Sequence, residues 1–136
     1  METYHMYPVY VKFKNGNVLM LPGINKKDKN SREQRRRFLN DVPKTAVIIR
    51  ATIVGVVDGH ILKIGASFTS PGDRYVKRLG VLIATNKANK TPLRTLILDQ
   101  PFSKDTALVE MFTLAQAFEA KVIPMSNPNI MKKKVW

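Results

Sequence analysis

Residues 70–90, SPGDRYVKRLGVLIATNKANK, carry the strongest local structural signals in this chain. Ser70 is suited to be an N-cap, and Pro71 suits the first helical position. Asp73 suits the third position, where its charge favours a helix start. We therefore predict a helix that begins at Pro71. Its apolar side chains recur at helical spacing and are expected to face the core. They are Tyr75, Leu79, Val81, Leu82 and Ile83.

The same segment is rich in cations on the opposite side of the predicted helix. Arg74, Lys77 and Arg78 are placed there by the helical repeat. Lys87 and Lys90 continue the positive charge past the expected helix end. One element therefore combines an apolar anchor with a cationic ridge, which we interpret as a phosphate-binding surface.

These residues resemble a motif of small, mostly uncharacterised bacteriophage and bacterial proteins. In that motif a strand ends near a glycine and is followed by S-P-x-D-x-F/Y-x-R/K-x-x-G-x-x-I/L-A-x-x-R/K-A. The matching residues are Gly65, Ser70, Pro71, Asp73, Tyr75, Lys77, Gly80, Ile83, Ala84, Lys87 and Ala88. Thr69 stands where some members have Cys. The resemblance implies a phage origin and an α+β fold, and it supplies no catalytic residues.

Size, charge and general layout are also similar to the basic nucleic-acid-binding accessory proteins of large phages that build a nucleus-like compartment. This looser resemblance implies a location in the cytoplasm of an infected bacterial host, in association with a phage replication compartment. It favours RNA as the partner.

Composition limits the classes of protein to which the chain can belong. Its 136 residues are enough for one domain with a modest core, and 44% of them are hydrophobic. We expect no membrane span and no signal peptide, because no apolar run is long enough. The chain has no Cys, so it has no disulfide and no thiolate metal site.

Charge is the most informative feature of the composition. The formal net charge is +13, and such a chain repels itself unless a polyanion offsets the field. Nucleic acid is the usual partner of such a protein, an anionic membrane is the usual competitor, and a generally basic soluble surface is the third interpretation. Clustering of the cations favours nucleic acid. The predicted nucleic-acid-binding residues are Lys26, Lys27, Lys29, Arg32, Arg35, Arg36, Arg37, Arg74, Lys77, Arg78, Lys87, Lys90, Lys132, Lys133, Lys134 and Trp136.

The first half of the chain predicts two hairpins separated by a basic segment. Residues 6–21 alternate apolar and polar side chains around Asn15-Gly16, a favoured turn dipeptide, and Pro8 suggests that the first strand begins at a sheet edge. Residues 22–41 are expected to be a mobile basic loop, or a frayed helix capped at Asn30 or Ser31. Residues 45–68 predict the main hairpin with a turn at Asp58-Gly59, and its first strand is apolar enough to be covered on both faces. Arg50 is the one charged residue within that strand, and we expect it either to emerge at a strand end or to face the binding surface.

The second half predicts a short strand over 93–98 and a helix that is capped by Ser103 and runs to about residue 120. Its wide apolar face should pack on the sheet. Residues 121–124 are a further candidate strand. The predicted fold is a single α+β domain over 1–124, with an antiparallel sheet of about five strands, two main helices and the basic loop 22–41. Residues 125–136 form a basic tail.

No catalytic pattern is present, so we expect no enzyme, no cofactor and no metal. Carboxylates are scattered, His5 and His60 are far apart in sequence, and no phosphate-cradling glycine loop occurs. The leading hypothesis is a non-enzymatic protein that binds RNA, single-stranded or messenger, with low sequence specificity. The alternatives are a DNA-binding or host-defence-countering phage accessory protein, and a structural module for an acidic protein partner. The oligomeric state stays open between a monomer, a homo-oligomer and an assembly with other phage proteins.

Overall fold

The computed structural model describes residues 1–21, 29–69 and 74–118, with side chains from Glu33 onward in the first helix. Over these residues the chain forms six strands and three helices. In chain order they are β1 (Glu2–Met6), β2 (Val9–Lys12), β3 (Val18–Leu21), α1 (Lys29–Asp41), β4 (Val47–Asp58), β5 (Ile61–Phe68), α2 (Lys77–Lys90), β6 (Arg94–Ile97) and α3 (Lys104–Ala117). This is a single-domain α+β arrangement, as the sequence predicts.

All described strands belong to one antiparallel sheet in the order β3-β2-β4-β5-β6. The long strand β4 pairs with β2 through its first half and with β1 through its second half, where His5 lies opposite Val54. The N–H of Ala51 donates to the Pro8 carbonyl at 3.0 Å and spans the break between β1 and β2. The expectation that Pro8 marks a sheet edge is therefore wrong, because β2 lies between β3 and β4. Strand β1 was not expected, because its side chains are polar and aromatic.

Both predicted hairpins are present, and glycine allows both turns. Gly16, in the loop between β2 and β3, has a φ of 93°, and Gly59 between β4 and β5 has a φ of 60°. Asp58 pairs with Ile61, so the two loop residues of the second hairpin are Gly59 and His60. Only the first of them has a positive φ, which is the pattern of a type II′ turn.

The largest buried cluster joins one face of the sheet to α3. Met6, Tyr10, Ile53 and Leu62 pack there against Met111 and its helical neighbours. The Tyr10 hydroxyl donates to the Ala115 carbonyl at 2.6 Å in the buried interface. Ser103 caps α3 as predicted, because its side chain accepts from the Thr106 N–H at 3.1 Å. This face is the principal core of the domain.

Helix α2 covers the opposite face of the sheet, but its bounds and its orientation differ from the prediction. It begins at Lys77 after an N-cap at Val76, and it runs to Lys90, so Lys87 and Lys90 lie in its last turn. Ser70, Pro71 and Asp73 lie outside the described residues. The side that faces the sheet consists of Gly80, Ala84 and Ala88. Leu79 and Leu82, which were expected in the core, are 52% and 57% exposed.

The reversed orientation of α2 follows from how closely the helix lies on the sheet. A Cβ atom added to Gly65 of β5 would lie 2.2 Å from the Ala84 carbonyl oxygen and 2.5 Å from the Ala88 nitrogen. A Cβ atom on Gly80 would lie 2.4 Å from Thr52 Oγ1 on β4. Small residues on both sides therefore let the two backbones meet, and leucines on that side would lift the helix off the sheet.

The basic segment is ordered over its second part. Residues Lys29–Asp41 form α1, which agrees with the helical alternative of the prediction and not with a loop, but Asn30 and Ser31 lie within the helix rather than at its cap. Residues 22–28 lie outside the described residues. The candidate strand 121–124 and the tail 125–136 lie outside them as well.

Replacing Gly65 with Ala should destabilise the protein far more than the same change at Gly55. At Gly65 the obstructing atoms are helix backbone, which cannot move alone, so we expect a loss of about 3 kcal/mol or more. At Gly55 the nearest atoms are the ends of side chains, Met111 Sδ at 2.7 Å and Leu62 Cδ1 at 3.2 Å, which can shift, and the loss should be below about 1.5 kcal/mol. Urea unfolding of both variants measures the difference. Equal losses would show that α2 moves freely on the sheet.

Candidate nucleic-acid interface

Three cationic side chains from three different elements converge on the α2 side of the sheet. They are Arg35 of α1, Arg50 of β4 and Lys77 of α2, and they surround the rings of Tyr7 and Tyr75. We call these five residues the cation cluster. Two of the cationic segments that are far apart in sequence thus meet in space.

Tyr7 joins Arg35 to Lys77. It lies in the break between β1 and β2 and is 8% exposed. The Arg35 Nη2 atom donates to the Tyr7 carbonyl oxygen at 3.1 Å. Lys77 Nζ lies 4.5 Å from the centre of the Tyr7 ring, within the range of a cation–π interaction. The Tyr7 hydroxyl is 3.2 Å from His5 Nδ1, which holds the ring in place.

Tyr75 joins the start of α2 to β4. Its hydroxyl lies 3.2 Å from the Thr52 Oγ1 atom, and Thr52 is buried. The Arg50 guanidinium carbon is 5.9 Å from the centre of the Tyr75 ring. Arg50 and Thr52 are two positions apart on β4, and alternation along a strand places both on the α2 side. The contact of Thr52 with Gly80 therefore fixes the position of Arg50 relative to the helix.

The repulsion between Arg35 and Arg50 is unfavourable without an anion between them. Burial lowers the pKa of the Arg35 guanidinium, the charge of Arg50 lowers it further, and Tyr75 acts in the opposite direction. Burial raises the pKa of the Tyr7 phenol, and the Lys77 charge opposes that shift. An arginine keeps its proton in proteins, so the repulsion remains as a cost in folding free energy.

Among the described residues, neither Arg35 nor Arg50 forms an ion pair with a carboxylate that would offset this cost. Within 1–21, 29–69 and 74–118 the single ion pair joins Arg37 to Glu33 at 3.1 Å, on the exposed surface of α1. An anion bound between Arg35 and Arg50 would relieve their repulsion, and guanidinium groups are suited to hold phosphate oxygens in pairs.

Some of the other predicted nucleic-acid-binding residues lie near the cation cluster in the chain, and others lie at the far end of α2 or outside the described residues. Arg36 is exposed on α1, Arg74 is exposed before α2, and Arg78 is exposed in the first turn of α2. Lys87 and Lys90 are exposed in the last turn of α2, and Lys87 is about 15 Å along the helix from Lys77. Lys29 and Arg32 belong to α1 by their backbone. The predicted residues outside the described ranges are Lys26, Lys27, Lys132, Lys133, Lys134 and Trp136.

The predicted ridge on α2 is wrong in two respects. Arg74 precedes the helix, and Lys77 is directed toward the Tyr7 ring on the sheet rather than away from it. Sequence reasoning identified Arg50 as the one cation in an apolar strand, but it missed Tyr7 and Thr52. The signal for Thr52 was available, since it lies two residues from Arg50 on the same predicted face.

Other chemical features of the described residues are sparse. No three His, Asp or Glu side chains within the described ranges come close enough together to hold a metal ion. His60 is exposed at its hairpin turn, with Nδ1 3.2 Å from the Leu98 carbonyl oxygen. Among the described helices none has the length and apolarity to cross a membrane.

Comparison with known proteins adds no relative to this description. No family model matches the chain, and no curated protein or solved structure matches it.

Inorganic phosphate should raise the Tm of the protein more than chloride does at equal ionic strength, because it relieves the repulsion between Arg35 and Arg50. At ten times its dissociation constant a bound anion stabilises the fold by about 1.4 kcal/mol, which corresponds to about 4–6 °C in Tm. The double variant Arg50→Gln with Lys77→Gln should lose this rise. Lys104→Gln, which removes a charge at the start of α3, should keep it. Scanning fluorimetry measures all three, and an unchanged rise in the double variant would place the anion elsewhere.

Proposed function

We propose that this protein is a non-enzymatic nucleic-acid-binding protein that prefers single-stranded RNA and has low sequence specificity. The observation that supports this most strongly is the meeting of Arg35, Arg50 and Lys77 on one side of the sheet. Bringing Arg35 and Arg50 together lowers the stability of the fold, and a polyanion that binds between them offsets this loss. A nucleic-acid backbone is the polyanion whose charges repeat closely enough to contact several of these groups.

Binding begins with electrostatic capture. Each phosphate that a Lys or Arg neutralises releases counterions from the nucleic acid, which drives association and makes it depend steeply on salt. The charge of Arg50 is close enough to act on Arg35, and the two guanidinium groups would hold one phosphate group between them. Exposed Arg74 and Arg78 lie in sequence next to Tyr75 and Lys77, and they extend the positive surface along the start of α2.

Low sequence specificity follows from the side chains that form the cation cluster. It contains no Asn or Gln, the side chains that read adenine edges, and Arg35 is engaged with the Tyr7 carbonyl. Its tyrosine rings pack beneath cations instead of being open for stacking, since Tyr7 is buried and Tyr75 half-buried. The cation cluster therefore suits contacts with backbone phosphates rather than with bases.

The outer face of α2 argues against readout of a DNA major groove. A recognition helix presents polar side chains to base edges, whereas α2 presents Leu79 and Leu82 to solvent and lies flat on the sheet. A flexible single strand is able to follow the surface around the start of α2. These are the grounds on which we prefer single-stranded RNA to duplex DNA, and we propose the cytoplasm of a phage-infected bacterium as the setting.

Binding should weaken when the cation cluster loses charge. We expect log affinity for a 12-nucleotide single-stranded RNA to fall linearly with log salt concentration. The variant Arg50→Gln with Lys77→Gln should reduce that slope by about 1.4, because each phosphate contact on a single strand contributes about 0.7. Fluorescence anisotropy between 50 and about 300 mM salt measures the slope.

The controls for this experiment separate the competing hypotheses. Lys104→Gln removes one charge away from the cluster and should leave the slope unchanged. Stronger binding of a DNA duplex than of the RNA would support the DNA-binding accessory protein. A flat salt dependence for every nucleic acid would contradict the proposed function and leave an acidic protein as the partner.

A further inference from the structure

Strand β6 forms one edge of the sheet, and its pairing with β5 leaves one side of its backbone open among the described strands. Ile97 lies opposite Ile61, and the Leu98 N–H donates to the His60 carbonyl at 3.0 Å. In an antiparallel ladder alternate residues bond to alternate neighbours. The backbone N–H and C=O groups of Leu96 and Leu98 therefore point toward β5, whereas those of Thr95 and Ile97 point to the open side.

The open edge is unusually apolar. Ile97 is 73% exposed, Leu93 is 48% exposed and Leu98 is 36% exposed. Natural edge strands are commonly protected from association by lysine, proline or a bulge. Residues 95–98 contain none of these side chains and no charge. The edge thus has both unpaired backbone groups and apolar side chains for a partner strand.

We propose that β6 pairs with β6 of a second copy of this chain, in antiparallel register about a twofold axis at Leu96. In this register Thr95 lies opposite Ile97 of the other copy, and Ile97 lies opposite Thr95. The two residues that present open backbone groups thereby pair with each other, which is the self-complementarity that a twofold interface requires. The pairing covers Ile97 and joins two sheets into one.

Charge is compatible with this register although the chain carries +13. Arg94 lies opposite Leu98 of the other copy, so the two Arg94 residues are four positions apart along the strand, or about 13 Å. Asp99 follows Leu98, so each Arg94 lies beside the acidic end of the partner strand. In this register no cation of β6 lies directly opposite the same residue of the second copy.

The dimer would place two cation clusters on the same side of the joined sheet, and the proposal of a dimer does not depend on nucleic-acid binding. A twofold axis perpendicular to the sheet keeps the α2 sides of both copies on the same side. The two β4 strands are then five strand spacings apart, or about 24 Å. Both cation clusters face the same solvent region, and one nucleic-acid strand can contact both of them.

Sedimentation equilibrium of the nuclease-treated full chain, from about 1 to 100 μM, tests the dimer. We expect a mass near twice 15.4 kDa at high concentration. Ile97→Lys and, separately, Thr95→Pro should each weaken dimerisation at least tenfold while the Tm falls little, because both residues are exposed. Leu19→Lys on β3, at the other edge of the described sheet, is the matched control and should leave the dimer intact.

Two outcomes would overturn the proposal. The first is a monomer at every concentration, and slow amide exchange at Thr95 and Ile97 in that monomer would identify another segment of the same chain as the occupant of the edge. The second is a dimer that all three variants retain, which would place the interface elsewhere. Neither outcome depends on nucleic acid, so they leave the proposed function untouched.

Discussion

The close approach of α2 to β5 at Gly65 is the constraint on which the rest of the structure depends. The backbone of α2 occupies the space that a Cβ atom on residue 65 would need. Because the two backbones lie so close, only a side of the helix that carries small residues fits against the sheet. That side consists of Gly80, Ala84 and Ala88, so the leucines of α2 face solvent. The same packing brings the start of α2 beside β4 and beside Tyr7 in the break between β1 and β2, and the cation cluster forms there as a result.

The two faces of the sheet have different roles. On the α3 side, large apolar side chains and the buried Tyr10 hydroxyl bond stabilise the fold in the ordinary way. On the α2 side the contact is narrow and made by small residues, and it holds Arg35, Arg50 and Lys77 near one another. Burial of apolar side chains on the α3 side offsets the repulsion between Arg35 and Arg50 on the α2 side. Net stability is a small difference between such opposing contributions.

The sequence predicts those parts of the fold that depend on local chemistry. Turn glycines at Gly16 and Gly59, the Ser103 cap and the apolar face of α3 are local signals, and all of them are confirmed. The orientation of α2 was not predictable from hydrophobic periodicity, because close backbone contact selects small side chains over leucines. The cation cluster was predictable only in part, since a pattern along the chain does not show that Arg35 and Lys77 meet at Tyr7. The motif residues Gly65, Gly80, Ala84 and Ala88 now have a packing role.

We propose that this protein binds a nucleic-acid backbone at the cation cluster. The most direct test is to titrate ¹⁵N-labelled protein with a short single-stranded RNA and follow the backbone amides and arginine Nε–H groups by NMR. If nucleic acid binds at the cation cluster, the largest shifts occur at Arg35, Arg50 and Lys77, with smaller ones at Tyr7 and Tyr75, while α3 is unaffected. Shifts concentrated on α3 or on β3, with the cluster unchanged, would contradict it.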